Sequence, residues 1–269
     1  MSNLEAIASR WAEQRADVYA LILLGSRARK DQPADEWSDH DFVVVVDDEK
    51  PFLSSDGWIA ELGPSRLSFV EDAAAGGLRE RRVLFADGAD GDFSLLPLAH
   101  LERVLARPDV ARVFARGFRV LVDKGVLEDL PTQASPPHED YAELVSEFWY
   151  RAIFTARKLR RGELHVAVQS CNCALRTLVR RALALEAGLA GRDAWHGGRF
   201  FERWVAPRWR GAMADTIALE EPSRAAMAIH AACELFTDVC RSLEGTYGLE
   251  VGVDLPAVRG QLEAILGSP

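Results

Sequence analysis

Asp39 and Asp41 stand one residue apart at the mouth of the apolar run Phe42 to Val46, and Gly25-Ser26 closes an earlier apolar run, Leu21 to Leu24. Residues i and i+2 of a strand point the same way, roughly 6.5 Å apart. Two carboxylates so placed repel one another and lose solvation at the end of a buried strand. A divalent cation relieves both costs. Mg²⁺ suits the donor set, because it takes one or two carboxylates together with phosphate oxygens. A Gly-Ser turn lets backbone N–H groups and a hydroxyl approach a phosphate closely. The stretch therefore reads as a site for a metal–nucleotide.

A third acid, Asp92, opens the strand-like Asp92 to Leu96. It can complete a metal shell or take the proton of a substrate hydroxyl. Asp87 and Asp90, in the preceding turn, read as solvated turn formers. Glu139, Glu143 and Glu147 follow at helical spacing, and Glu147 abuts the aromatic trio Phe148-Trp149-Tyr150. Acids beside an inward-facing aromatic cluster suit a cationic, hydroxyl-rich ligand, so Glu147, Glu143 and Trp149 are the substrate candidates. His40, between the two aspartates, should point to the opposite strand face and carries no assigned chemistry.

These motifs resemble a known family. Gly25-Ser26-Arg27, Trp37-Ser38-Asp39-His40-Asp41, Asp92-Phe93-Ser94-Leu95-Leu96-Pro97-Leu98 and Glu147-Phe148-Trp149 are similar to the aminoglycoside 6-adenylyltransferases, within the polymerase-β-like nucleotidyltransferase superfamily. The resemblance runs from about Leu21 to about Glu250. It implies metal ligation by Asp39, Asp41 and Asp92, which are also the catalytic residues, and ATP held by Gly25, Ser26 and Arg27. It also implies a basic residue reaching the triphosphate, for which Arg157, Lys158 and Arg199 are the candidates, with Lys30 as an alternative. His196-Gly197-Gly198-Arg199 departs from the family by placing histidine where lysine is expected. The implied cofactors are Mg²⁺ and ATP as co-substrate. The implied activity is AMP transfer to the 6-hydroxyl of streptomycin or a related aminoglycoside. A lincosamide-like acceptor, or AMP transfer onto a partner protein, stays open.

The rest of the chain must position these residues. At 269 residues, 48% hydrophobic and 27% charged, it can bury one large core or two modest ones. A net charge of −9 argues against a nucleic-acid backbone as partner and suits a cationic small molecule. Cys171, Cys173, Cys233 and Cys240 lack paired metal spacing and read as buried, reduced thiols. With neither a membrane-length apolar run nor a basic-then-apolar leader, the expectation is a cytoplasmic enzyme, monomeric or weakly dimeric, with no membrane partner.

The predicted class is α+β: a mixed-sheet nucleotidyltransferase domain over residues 1–130, then an all-helical domain over 131–269. Ser2 should cap a helix to Ala16 through a box with Glu5. Strands are expected at Val18–Leu24, Phe42–Val46, Arg66–Glu71, Arg82–Ala86, Asp92–Leu96 and Phe118–Val122, with the fourth and fifth forming a hairpin. A short helix is expected near Gly57-Trp58-Ile59. The proline-rich stretch 126–137 marks the boundary. Long helices should then cover Glu139–Arg161, Leu164–Glu186, Gly198–Ala214, Pro222–Tyr247 and Pro256–Leu266, with Trp195, Trp204 and Trp209 in their core. Ligands commonly bind in a cleft between two such halves.

Overall fold

The computed structural model describes residues 4–29, 31, 34–134, 139–194, 196–250 and 252–267, residue 196 by its backbone alone. The chain divides into two compact units, Met1–Pro137 and His138–Pro269. The division falls at the end of the proline-rich stretch, several residues beyond 130.

The first unit runs α1 (Leu4–Gln14), β1 (Val18–Leu23), β2 (His40–Val46), α2 (Lys50–Ser54), α3 (Ile59–Leu62), β3 (Ser65–Asp72), β4 (Arg79–Phe85), β5 (Asp90–Pro97), α4 (Leu101–Leu105), α5 (Pro108–Phe114) and β6 (Arg119–Asp123). The six strands form one mixed sheet in the order β3-β4-β5-β2-β1-β6. Among the described residues, only the β2–β5 pair is parallel. β4 and β5 form the expected hairpin, and β5 also lies against β2, a pairing that nothing local in the sequence specifies.

The alternation along β1 and β2 explains why these strands are central. Leu21, Leu23, Phe42 and Val44 face one side, where Leu4, Trp11, Phe52, Trp58 and Ile59 of the first three helices and their flanks cover them. Ala20, Ile22, Val43 and Val45 face the other, under Leu101, Val104, Val110 and Phe114 of α4 and α5. Strands covered on both faces read as continuous apolar runs. Phe93 of β5 locks the first layer, stacked on Phe42 at 5.1 Å and edge-on to Trp58 at 5.2 Å. Each fully buried aromatic of this kind contributes about 2–3 kcal/mol of transfer free energy. The capping box expected at Ser2 lies outside the described residues, and α1 is described from Leu4.

The second unit is helical. It contains α6 (Tyr141–Arg160), α7 (Leu164–Gln169), a π-helical segment (Ser170–Leu175), α8 (Arg176–Leu189), α9 (Phe201–Trp204), α10 (Pro207–Arg210), α11 (Ala212–Asp215), α12 (Pro222–Tyr247) and α13 (Leu255–Leu266). Asp140 caps α6 by accepting a hydrogen bond from the Glu143 N–H at 3.0 Å. α12 has the predicted ends, with proline in its first turn and Gly248 in left-handed backbone at its exit.

Two expected helices are interrupted. The one from Leu164 widens into the π segment before resuming as α8. The one from Gly198 splits into three single turns: Phe200 adopts positive φ ahead of α9, and Pro207, unable to donate a backbone hydrogen bond, starts α10 afresh. The core joins α6, α8 and α12, with Phe148 stacked on Phe236 at 3.7 Å and alanines 152, 182, 228 and 232 fully or almost fully buried among them. Trp204 is buried and Trp209 packs on this core, as expected. Trp195 lies outside the described residues. Cys171, Cys233 and Cys240 are buried free thiols, but Cys173 is exposed: two positions from Cys171 on a helix, it turns away from the core. Among the described residues no helix is long and apolar enough to cross a membrane.

Candidate active site

The site forms where β1 ends and β2 begins. After Leu24, whose N–H donates to the Asp41 carbonyl at 2.8 Å, the chain turns sharply at Gly25 with φ +65°. A Cβ on Gly25 would stand 1.7 Å from Asp41 Oδ2. Only glycine lets the backbone lie against that carboxylate. The following turn, Gly25–Arg27, holds the Ser26 hydroxyl buried with no hydrogen-bond partner. Arg27 donates to the backbone carbonyls of Asp39 (2.9 Å) and Ser38 (2.7 Å). Its guanidinium, expected on the nucleotide, thus fastens the approach to β2 onto the Gly-Ser turn.

The parallel register of β2 and β5 places Asp41 opposite Asp92. Directly paired residues share a sheet face. Asp39, Asp41 and Asp92 bring carboxylate oxygens within 4.8 Å of one another, the grouping expected of them. Asp92 is 4% exposed. Its Oδ2 meets Arg82 Nη2 at 3.2 Å, while Oδ1 is buried and unpartnered. Burial pushes the Asp92 carboxyl up to about 7, opposed by Arg82 and reinforced by Glu80, Asp41 and Asp39.

Sequence reasoning missed the supports of Asp92. Arg82 of β4 is ion-paired with Glu71, Glu80 and Asp92, and Glu80 accepts from the Ser94 hydroxyl at 3.0 Å. The alternation Glu80-x-Arg82 facing Asp92-x-Ser94 would have shown it once the hairpin register was known. His40 faces away, as expected. It is buried, stacked on Phe42, with Nδ1 3.1 Å from the Asp90 carbonyl, and burial holds its pKa down. Asp87 is a turn former, accepting from the Ala89 N–H. Asp90 is the first residue of β5, outside the turn assigned to it.

Three converging carboxylates and two buried polar atoms without partners, Asp92 Oδ1 and Ser26 Oγ, fit a divalent, oxygen-seeking cation with a phosphate beside it. Buried polar groups are otherwise almost always paired. Arg82 reaches this cluster at one edge, through Asp92 Oδ2.

The candidates in the helical unit are placed differently. Glu147 meets Arg181 Nη1 at 2.9 Å, and Arg181 also grips Glu139 through two hydrogen bonds, so an internal guanidinium stands where a ligand's was expected. Glu143 is exposed. Trp149 corrects the expectation of a ligand contact: it is 2% exposed and packs edge-on to Phe148 within the core, so it offers no stacking surface. Lys158 pairs with Glu163 at 2.6 Å. Arg157 and Arg199 are exposed, and Lys30 lies outside the described residues.

The chain is similar to known proteins. The family model described as streptomycin adenylyltransferase matches residues 2–255. An aminoglycoside 6-adenylyltransferase of Staphylococcus aureus is 24% identical over 249 residues, 86% of each chain. One of Bacillus subtilis (strain 168) is 24% identical over 181 residues, 62% of each chain. A crystal structure of an aminoglycoside 6-adenyltransferase from Bacillus subtilis superimposes over 100% of both chains with 16% identity and a TM-score of 0.46. Matched over nearly its whole length, the chain belongs to the streptomycin adenylyltransferase family and is a nucleotidyltransferase.

Proposed function

We propose that the protein transfers AMP from MgATP to a hydroxyl of an aminoglycoside, streptomycin first and at its 6-hydroxyl, inactivating the antibiotic. The observation that carries this reading is the convergence of Asp39, Asp41 and Asp92 beside the Gly25-Ser26 turn, with two buried polar atoms left unpaired. Asp39, Asp41 and Asp92 would hold Mg²⁺, which neutralises phosphate charge and polarises the phosphoryl group when bound.

The chain's own residues do the rest. Gly25 and Ser26 cradle phosphate oxygens, and Arg27 keeps that turn in register with Asp39. Asp92 Oδ2 is tied to Arg82, so Oδ1 is the atom left either to complete the metal shell or to receive the proton of the acceptor hydroxyl. The acceptor oxygen bonds to the α-phosphorus as the bond to pyrophosphate breaks, and most of the rate comes from orientation and charge stabilisation. The name shared by the relatives and the chain's net charge of −9 support a cationic acceptor.

The test is a panel of streptomycin, other aminoglycosides, a lincosamide and unrelated hydroxylated metabolites incubated with ATP and Mg²⁺. The expected result is a mass gain of one AMP on streptomycin. Transfer confined to a non-aminoglycoside, or to a protein, would overturn the acceptor while leaving the chemistry.

A further inference from the structure

We infer that the aminoglycoside acceptor lies across β4 and β3, with a guanidinium- or ammonium-bearing ring stacked on Phe69. This rests on the reaction proposed above and specifies its acceptor subsite. Register places the residues. Phe69 pairs with Arg82, Arg82 with Asp92, and Asp92 with Asp41, so all four share one sheet face. The ion pairs of Arg82 with Glu71, Glu80 and Asp92 mark the same face. Over β1, β2 and β5 that face is covered by α4 and α5. At β3 Phe69 is 53% and Leu67 64% exposed, large apolar side chains left in water on an edge strand.

Direction of attack selects the occupant. In an in-line displacement the acceptor oxygen and the departing pyrophosphate lie on opposite sides of the phosphorus. The Gly25-Ser26 turn leaves β1, on one side of β2, whereas β5, β4 and β3 follow in order on the other. With the phosphate tail at the turn, the acceptor is left the side of β5, β4 and β3. There the unpartnered, buried Asp92 Oδ1 is the polar end of the surface, and Phe69, about 10 Å away at two strand spacings, is its apolar end. Along this strip Glu71, Glu80 and Asp92 outnumber Arg82, which leaves it negative. A planar guanidinium stacks on an aromatic ring while carboxylates take its N–H groups.

The experiment is steady-state AMP transfer to streptomycin by the wild type, Phe69→Ala and Phe69→Trp, with size-exclusion chromatography of each. Phe69→Ala should raise the KM for streptomycin roughly three- to thirtyfold with the KM for ATP in place, and Phe69→Trp should restore it. An unmoved streptomycin KM in an active Phe69→Ala enzyme would overturn the subsite alone. If Phe69→Ala changes the oligomeric state and not that KM, the side chain serves a contact between copies and the subsite is likewise overturned. A wild type that modifies no aminoglycoside would overturn the reaction itself, and the subsite with it.

Discussion

Replacing Asp92 by Asn should stabilise the metal-free protein while abolishing its chemistry. The Asp92 carboxyl has a pKa of about 7 in the fold against an ordinary 3.8, chiefly because it is buried. Between those values the folded state binds a proton that the unfolded chain does not, so folding stability falls as pH rises through that window. Carried across the whole window, the linkage reaches about 4 kcal/mol as a ceiling. Solvent and the partly exposed Arg82 screen the cluster, and about 2 kcal/mol is the expected realised loss above pH 7. Asparagine keeps the shape and cannot ionise, so it escapes that loss. The two proteins should melt together near pH 4 and separate progressively to pH 7. Above that, Asn should lead by about 4–8 °C, at roughly 2–4 °C per kcal/mol for a chain of this size. The assay is thermal unfolding in EDTA from pH 4 to pH 8.5, repeated with Mg²⁺ and a non-hydrolysable ATP analogue. With metal–nucleotide present the order should reverse, because binding to the native state stabilises the wild type by mass action. An Asn variant that is no more stable than wild type at pH 8 in EDTA, or that gains as much from metal–nucleotide, refutes the assignment of Asp92 to a strained metal cluster.

Asp39→Asn and Asp41→Asn should each abolish transfer with circular dichroism unchanged, and near-normal turnover in either would remove the metal assignment. Gly25→Ala should lose nucleotide binding, since φ +65° strains any side chain and the new Cβ meets Asp41 Oδ2; calorimetric titration of the ATP analogue with Mg²⁺ measures it, and wild-type affinity would contradict the cradle. Phe236→Ala, fully buried and stacked on Phe148, should cost about 3–5 kcal/mol in denaturant unfolding, and a loss under about 1 kcal/mol would show that the helical core closes over the gap.

The local part of the fold and site was legible from the residues alone. Asp39-x-Asp41 at the head of a valine run, the Gly25-Ser26 turn, the two doubly covered strands and the span of α12 all follow from periodicity and turn chemistry. These are short-range properties, set by which atoms are neighbours along the chain. What needed the tertiary structure was every relation between distant segments. The parallel seating of β5 on β2 brings Asp92 to Asp41. The register of β4 supplies Arg82 and Glu80, and that of β3 sets Phe69 on the same sheet face as Asp92. Arg181 reaches Glu147 from another helix, and helix rotation turns Trp149 inward. A strand's alternation says which residues share a face but not which strand lies alongside. Partner and register are chosen by the total burial the whole sheet achieves, a quantity that no single segment contains.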